Sequence, residues 1–156
     1  MVKVFIAYDS KYGNTKIVAE KILEGMMENE EIETSIGYVK EINVDELANF
    51  DTIVLGGPNH FGRPSQTIKK FVNRLAELDL KSKKVAAFGT YAGKERNPDR
   101  AVKKLEKILK KKLPNLSLVS PGGLSIRVNK LRGPIIEGEL PKSIKFGKKL
   151  ASQLKN

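Results

Sequence analysis

The chain opens on a near-continuous apolar run at 2–8, VKVFIAY, the pattern of a central parallel strand covered on both faces. Further strand-like runs follow at 32–39 (IETSIGYV, more exposed), 51–57 (DTIVLGG), 83–91 (KKVAAFGTY) and 116–123 (LSLVSPGG). Helical periodicity fills the intervals. Ile17, Val18, Ile22 and Met26 share one face of a first helix, which Gly25 and Asn29 weaken near its end. A short helix is expected at 45–50. At 65–78 Ser65 is a candidate N-cap, and Ile68, Phe71, Val72 and Leu75 form the apolar stripe. A third long helix is expected to start with Asn97 as N-cap and Pro98 at its first position, burying Ala101, Val102, Leu105, Ile108 and Leu109. Residues 140–154 read as a closing helix. The least readable stretch, 122–139, is expected to be irregular or hairpin-like.

Five strands alternating with helices over short loops predict an α/β fold, a doubly wound parallel sheet with right-handed crossovers. No repeat, low-complexity tract or linker divides residues 1–156, so a single domain is expected. In such sheets ligands bind beyond the carboxyl ends of the strands, where strand order reverses. The loops at 9–15, 57–64 and 90–97 are therefore the ones to inspect.

Composition narrows the chemistry. The sequence has no cysteine and one histidine, His60. That excludes disulfides, thiolate-ligated clusters, thiol nucleophiles and a histidine-rich metal centre. Redox activity would have to come from an organic cofactor. No apolar run approaches the ~20 residues of a membrane span, and the apolar opening is too short for a signal peptide, so a cytoplasmic location is expected. The net charge is +11 and unevenly spread. Residues 1–78 hold 9 Lys/Arg and 12 Asp/Glu, while 79–156 hold 20 and 6. Such asymmetry suits an acidic partner, a nucleic acid or an anionic membrane surface, but a lysine-rich solvated surface is the favoured reading.

The three loops carry the candidate chemistry. In the first, Ser10 and Thr15 offer hydroxyls, Asn14 an amide, and Gly13 close backbone approach, at the start of a helix whose free N–H groups and dipole favour an anion. Neither a P-loop nor a G-x-G-x-x-G turn is present, and an ordinary capping turn would use the same residue types. Both readings stand at this point. The second loop, GGPNHFGRPS, is stiffened by Pro58 and Pro64 and presents Asn59, His60, Phe61 and Gly62. The third, GTYAGKERN, sets Tyr91 among Thr90, Ala92 and Gly93. A phosphate pocket at one end and a flat ring between two aromatic-bearing loops describe a mononucleotide, of which FMN is the redox-active choice.

This arrangement resembles the flavodoxin family along essentially the whole chain. SKYGNT is similar to the family's hydroxyl-rich [ST]-x-T-G-x-T loop, with Tyr12 in place of the middle Thr and Lys11 departing from a mainly neutral donor set. The Y-x-S-x-Y-G form and GGPNHFG are also similar to the flavodoxin domains of A-type flavoproteins and to flavodoxin-like NAD(P)H:quinone oxidoreductases. The resemblance implies a five-stranded parallel sheet of order 2-1-3-4-5 with helices on both faces. It implies FMN with its phosphate on Ser10, Tyr12, Gly13, Asn14 and Thr15, with Lys11 either added to that set or turned to water, and its ring between the 58–62 and 90–93 loops.

The activity the resemblance implies is electron transfer to a redox partner protein, with the Phe61–Gly62 backbone carbonyl accepting from flavin N5 on one-electron reduction. Family members are typically acidic, whereas this chain is basic, so the family's rule for partners does not carry over, and an acidic redox partner is one option the charge leaves open. An FMN-dependent NAD(P)H:quinone oxidoreductase is the alternative. It would place His60 or Tyr91 beside the substrate and use Arg63, Lys94 or Arg96 to attract the nicotinamide phosphate. A non-enzymatic binding module using the Lys103–Lys112 face is the third reading. No specific nucleic-acid binding is expected, because no aromatic-interleaved basic strand is present.

Overall fold

The computed structural model describes residues 1–93 and 97–155. Its middle layer is a parallel sheet in the order β2 (Ile32–Tyr38), β1 (Val2–Tyr8), β3 (Thr52–His60), β5 (Lys84–Ala92), with the fifth position shared by β6 (Ser117–Leu118) and β7 (Leu124–Val128). This is the 2-1-3-4-5 order with its last strand broken in two. β4 (Arg63–Pro64) folds back antiparallel on the end of β3.

Alternate strand residues feed two cores. On one face Val4, Ile6, Val54, Ala86 and Phe88 meet α1 (Asn14–Met27) and α4 (Leu140–Leu154). On the other, Ala7, Ile53, Leu55, Val85 and Ala87 meet α2 (Gln66–Ala76), α3 (Arg100–Lys112) and a 3₁₀ turn at Val44–Asn49. Among the described residues no helix is long and apolar enough to cross a membrane.

Several expectations shift. The apolar run at 116–123 is not one strand, because Pro121 has no N–H to donate and Ser120, Gly122 and Gly123 all take positive φ. Pairing with β5 resumes at Leu124, inside the stretch read as irregular, where Leu124, Ile126 and Val128 alternate inward. Val128 then bridges Ile135 antiparallel, so a hairpin-like return does follow. α3 begins at Arg100 rather than after Asn97, since the Arg100 N–H closes a separate turn onto the Asn97 carbonyl. Ile17 is 41% exposed and Ile108 only half-buried. The core face of α1 instead runs through Thr15, Val18, Ala19, Ile22, Gly25 and Met26.

Gly25 has a packing reason. α1 and α4 cross so closely that a Cβ on Gly25 would collide with the Ile144 carbonyl, and one on Gly147 with the Ile22 carbonyl. The two helices approach backbone to backbone through reciprocal glycines, which fixes α1 and hence the loop before it.

Candidate functional site

The carboxyl ends of β1, β3 and β5 converge on a cleft of about 370 Å³ open to solvent. Ser10, Lys11, Tyr12, Asn14 and Thr15 line it from the first loop, Pro58, Asn59 and His60 from the second, and Thr90, Tyr91 and Ala92 from the third. Of the sequence-predicted residues, Gly13, Phe61, Gly62 and Gly93 are not on its wall. The second and third segments are strand extensions more than loops, since β3 runs to His60 and β5 to Ala92. Their parallel register aligns Pro58 with Thr90 and Asn59 with Tyr91.

The first loop settles into an uncapped helix start. Ser10 Oγ accepts from the Gly13 N–H at 3.0 Å. Gly13 occupies the N-cap position of α1 and, having no side chain, makes no cap hydrogen bond. Thr15 turns its hydroxyl away to Thr90 Oγ1 at 2.9 Å, both residues buried, tying the first loop to the third. By contrast Ser65 caps α2 by accepting from the Ile68 N–H, and Asn43 caps the 3₁₀ turn. The first turn of α1, whose Asn14 and Thr15 line the cleft, thus has no side-chain cap, an arrangement suited to an anion.

Asn59 adds a second orphan. It is buried, lines the cleft, and its Nδ2 has no hydrogen-bond partner. A buried unpaired amide is costly, and this one is packed against the Gly89 backbone, where a Cβ would collide with it. Asp9 is 8% exposed and accepts from Ser65 Oγ at 2.8 Å, so this carboxylate is anchored behind the first loop.

Phe61 and Gly62 form the two-residue turn between β3 and β4, both at positive φ (52° and 72°), the geometry of a primed hairpin turn. Gly suits that conformation, whereas Phe is strained in it. Phe61 is 92% exposed, and its carbonyl accepts from Arg100 Nη2 at 2.8 Å. Phe61 and Gly62 line a smaller hollow with Tyr91, Asn97 and Ala101, next to the main cleft. Lys94 and Arg96 lie outside the described residues.

A fourth segment, absent from the sequence reading, completes the wall: Val128 and Leu131 also line the cleft. The same turn carries Arg132 over the Tyr12 ring at 5.5 Å, while Lys11 stands over that ring at 5.4 Å. Two cations therefore flank the mouth of the first loop. The L-S-I-R-V alternation of β7 was the available signal for this segment, but its loop has no motif. Glu139, at the start of α4, fixes the segment from behind by accepting from the Arg127 N–H at 2.9 Å and pairing with Lys142. Burial pushes the Glu139 carboxyl up, but the Lys142 and Arg127 bonds outweigh it and hold the group below the usual range. Burial, aided by the Glu139 charge, raises the Tyr91 hydroxyl, so Tyr91 stays a neutral phenol.

Similarity to known proteins agrees with this geometry. The sequence pattern of the flavodoxin domain matches residues 5–131. A flavodoxin of Clostridium saccharobutylicum is 32% identical over 89 residues, covering 57% of this chain and 56% of that protein. The aligned segments thus span about half the length of the curated relatives they match. Among solved structures, an archaeal flavodoxin superposes with a TM-score of 0.81 at 21% identity, covering 99% of this chain and 100% of its own. Flavodoxin 2 of Bacillus cereus gives 0.79 at 27% identity, covering 98% and 100%. With the strand order, the three converging segments and the matched pattern all in agreement, the chain belongs to the flavodoxin family, whose members bind FMN.

Proposed function

We propose that this chain binds FMN and works as an electron carrier, exchanging electrons with a separate redox protein. The observation that carries the reading is the uncapped start of α1. Ser10, Gly13, Asn14 and Thr15 are good capping or turn residues, yet none satisfies the first-turn donors, which an FMN phosphate would. The segments at 58–62 and 90–93, which bring Pro58, Asn59, His60, Thr90, Tyr91 and Ala92 to the cleft wall, would hold the faces of the flavin ring. FMN supplies redox chemistry that no side chain in this sequence offers.

Within that reading Lys11 and Arg132 neutralise the phosphate, Tyr12 orients both, and the Thr15–Thr90 bond keeps the phosphate and ring ends at a fixed spacing. Arg100 holds the Phe61 carbonyl, so hydrogen bonding of that carbonyl to flavin N5 would require exchange of partners. The oxidoreductase alternative has less support, since Arg63, one of its anion-attracting residues, lines a groove between α2 and α3 instead of the cleft.

Incubation with FMN tests the proposal. Flavin fluorescence is expected to quench and the visible bands to shift and co-elute with the protein on gel filtration. Free, unquenched FMN after separation would sink it. Turnover of NADH or NADPH with a quinone, without an added reductase, would replace the carrier by the enzyme.

A further inference from the structure

The face built by α2 and α3 holds more positive charge than its packing uses. Between Arg100 and Lys112, α3 carries seven cations and one acid, Glu106. Glu106 is 6% exposed and both its oxygens accept from the Gly122 N–H; the cations it attracts are Lys103 and Lys110, off the Arg100–Lys111 stripe. Arg100, Lys104, Lys107 and Lys111 follow the i, i+4, i+7, i+11 spacing of one helical stripe. Like charges at that spacing destabilise a helix. The ion pairs found among the described residues lie elsewhere, on Lys21, Lys81, Lys142 and Lys148. An ordinary solvated surface intersperses both signs, and this one does not.

The stripe borders an open groove of about 650 Å³, where Arg63, Lys69, Lys104 and Lys107 surround an apolar floor of Pro64 and Ile108. At one end Arg100 binds the Phe61 carbonyl, which sets the exposed Phe61 ring at the head of the stripe. An apolar floor edged by cations, with an exposed aromatic at one end, has the composition of an interface. The hairpin that carries it also forms the Pro58–His60 wall of the cleft.

We propose that this face docks an acidic redox protein, with Pro64 and Ile108 as its apolar floor and Arg63, Lys69, Lys104 and Lys107 as its cationic surround. The redox character of the partner rests on the FMN reading; its acidity rests on the surface alone. A nucleic acid is the less favoured occupant, because base stacking needs aromatics spread along the basic track. Here the single exposed ring stands at the end nearest the redox cleft.

The test measures association of the FMN-loaded chain with an acidic iron–sulfur ferredoxin, with cytochrome c as a basic control and duplex DNA as a third probe. Ferredoxin is expected to associate, with an on-rate falling roughly tenfold or more as ionic strength rises from about 0.01 to about 0.15 M. The K104E/K107E double variant should lose a comparable factor at low salt, and K104A/K107A a smaller one, while FMN quenching stays unchanged and the melting temperature does not fall, since relieving the like-charge stripe favours the helix. Ferredoxin association that is absent, or unaltered by charge reversal, overturns the proposal, as does tighter binding of DNA or cytochrome c. A chain that fails to quench FMN yet binds ferredoxin through these lysines upholds the surface while sinking the cofactor reading.

Discussion

Tyr12 shows how a departure from a family pattern acquires a role. A Thr at this position would add one hydroxyl to the loop, whereas the Tyr ring gathers the Lys11 ammonium and the Arg132 guanidinium at 5.4 and 5.5 Å. Cations held over an aromatic lose less freedom on meeting an anion. Arg132→Ala is therefore expected to weaken FMN about fivefold to tenfold, on the order of 1 kcal/mol for a partly exposed charge-assisted contact. Riboflavin, which lacks the phosphate, should lose almost nothing. Parallel fluorescence titrations of the two flavins check this, and an equal loss for both would remove Arg132 from the phosphate end. Glu106 supplies a pH prediction. Burial raises its carboxyl above the ordinary glutamate value, with the Gly122 N–H and nearby lysines opposing. A raised folded-state value means the folded protein binds this proton more tightly than the unfolded chain. Its contribution to stability is largest below the ordinary value and declines as pH rises through the folded-state one. Glu106→Gln should flatten that part of the stability–pH curve and melt no lower than wild type at neutral pH, as read by calorimetry across that range.

At the scale of elements, the α1–α4 crossing positions the phosphate end. Gly25 and Gly147 read as helix weakeners, since Gly costs ~1 kcal/mol against Ala in a helix interior. Their backbones instead face each other's helix at carbonyl contact, so adding a methyl gains propensity and loses packing. Gly25→Ala or Gly147→Ala is expected to destabilise by about 1–3 kcal/mol despite the better propensity. Urea unfolding measures the net sign, and a stabilised variant would mean that the crossing can open without cost. The same reasoning explains which elements were legible. The pattern of Ile68, Phe71, Val72 and Leu75 marked α2 because all four are buried, and its Ser65 cap forms as the sequence implies. The start of α3 was misplaced because Asn97-Pro98 signals a turn as strongly as a cap, and here the turn prevails.

For the whole molecule, the excess of basic over acidic groups sets the electrostatic background of the cleft. A cofactor that gains negative charge on reduction is stabilised by a positive surround. The second one-electron reduction potential of the FMN-loaded chain is expected to be less negative than in acidic members of the family. Spectroelectrochemical titration reads it directly, and an equal or lower value would show that the lysines are too distant or too well screened to matter.

The sequence by itself determined the alternation of strands and helices and hence the layers, because buried parallel strands and amphipathic helices announce themselves through the spacing of apolar residues, while the strand order was implied only by the family resemblance. It also pointed to the three segments at one sheet edge, since every crossover returns the chain to the same end of a parallel sheet. It left open whether SKYGNT was a helix cap or an anion cradle, because both uses draw on the same hydroxyl and amide residues. Tertiary structure added what the sequence could not: Thr15 is committed to Thr90, 75 positions away, and Ser10 to Gly13, which leaves the first turn of α1 without a side-chain cap. Tertiary structure alone also brought Val128, Leu131 and Arg132 to the cleft. Those contacts depend on how a broken edge strand resumes after Ser120–Gly123, and local residue preferences do not encode that distance.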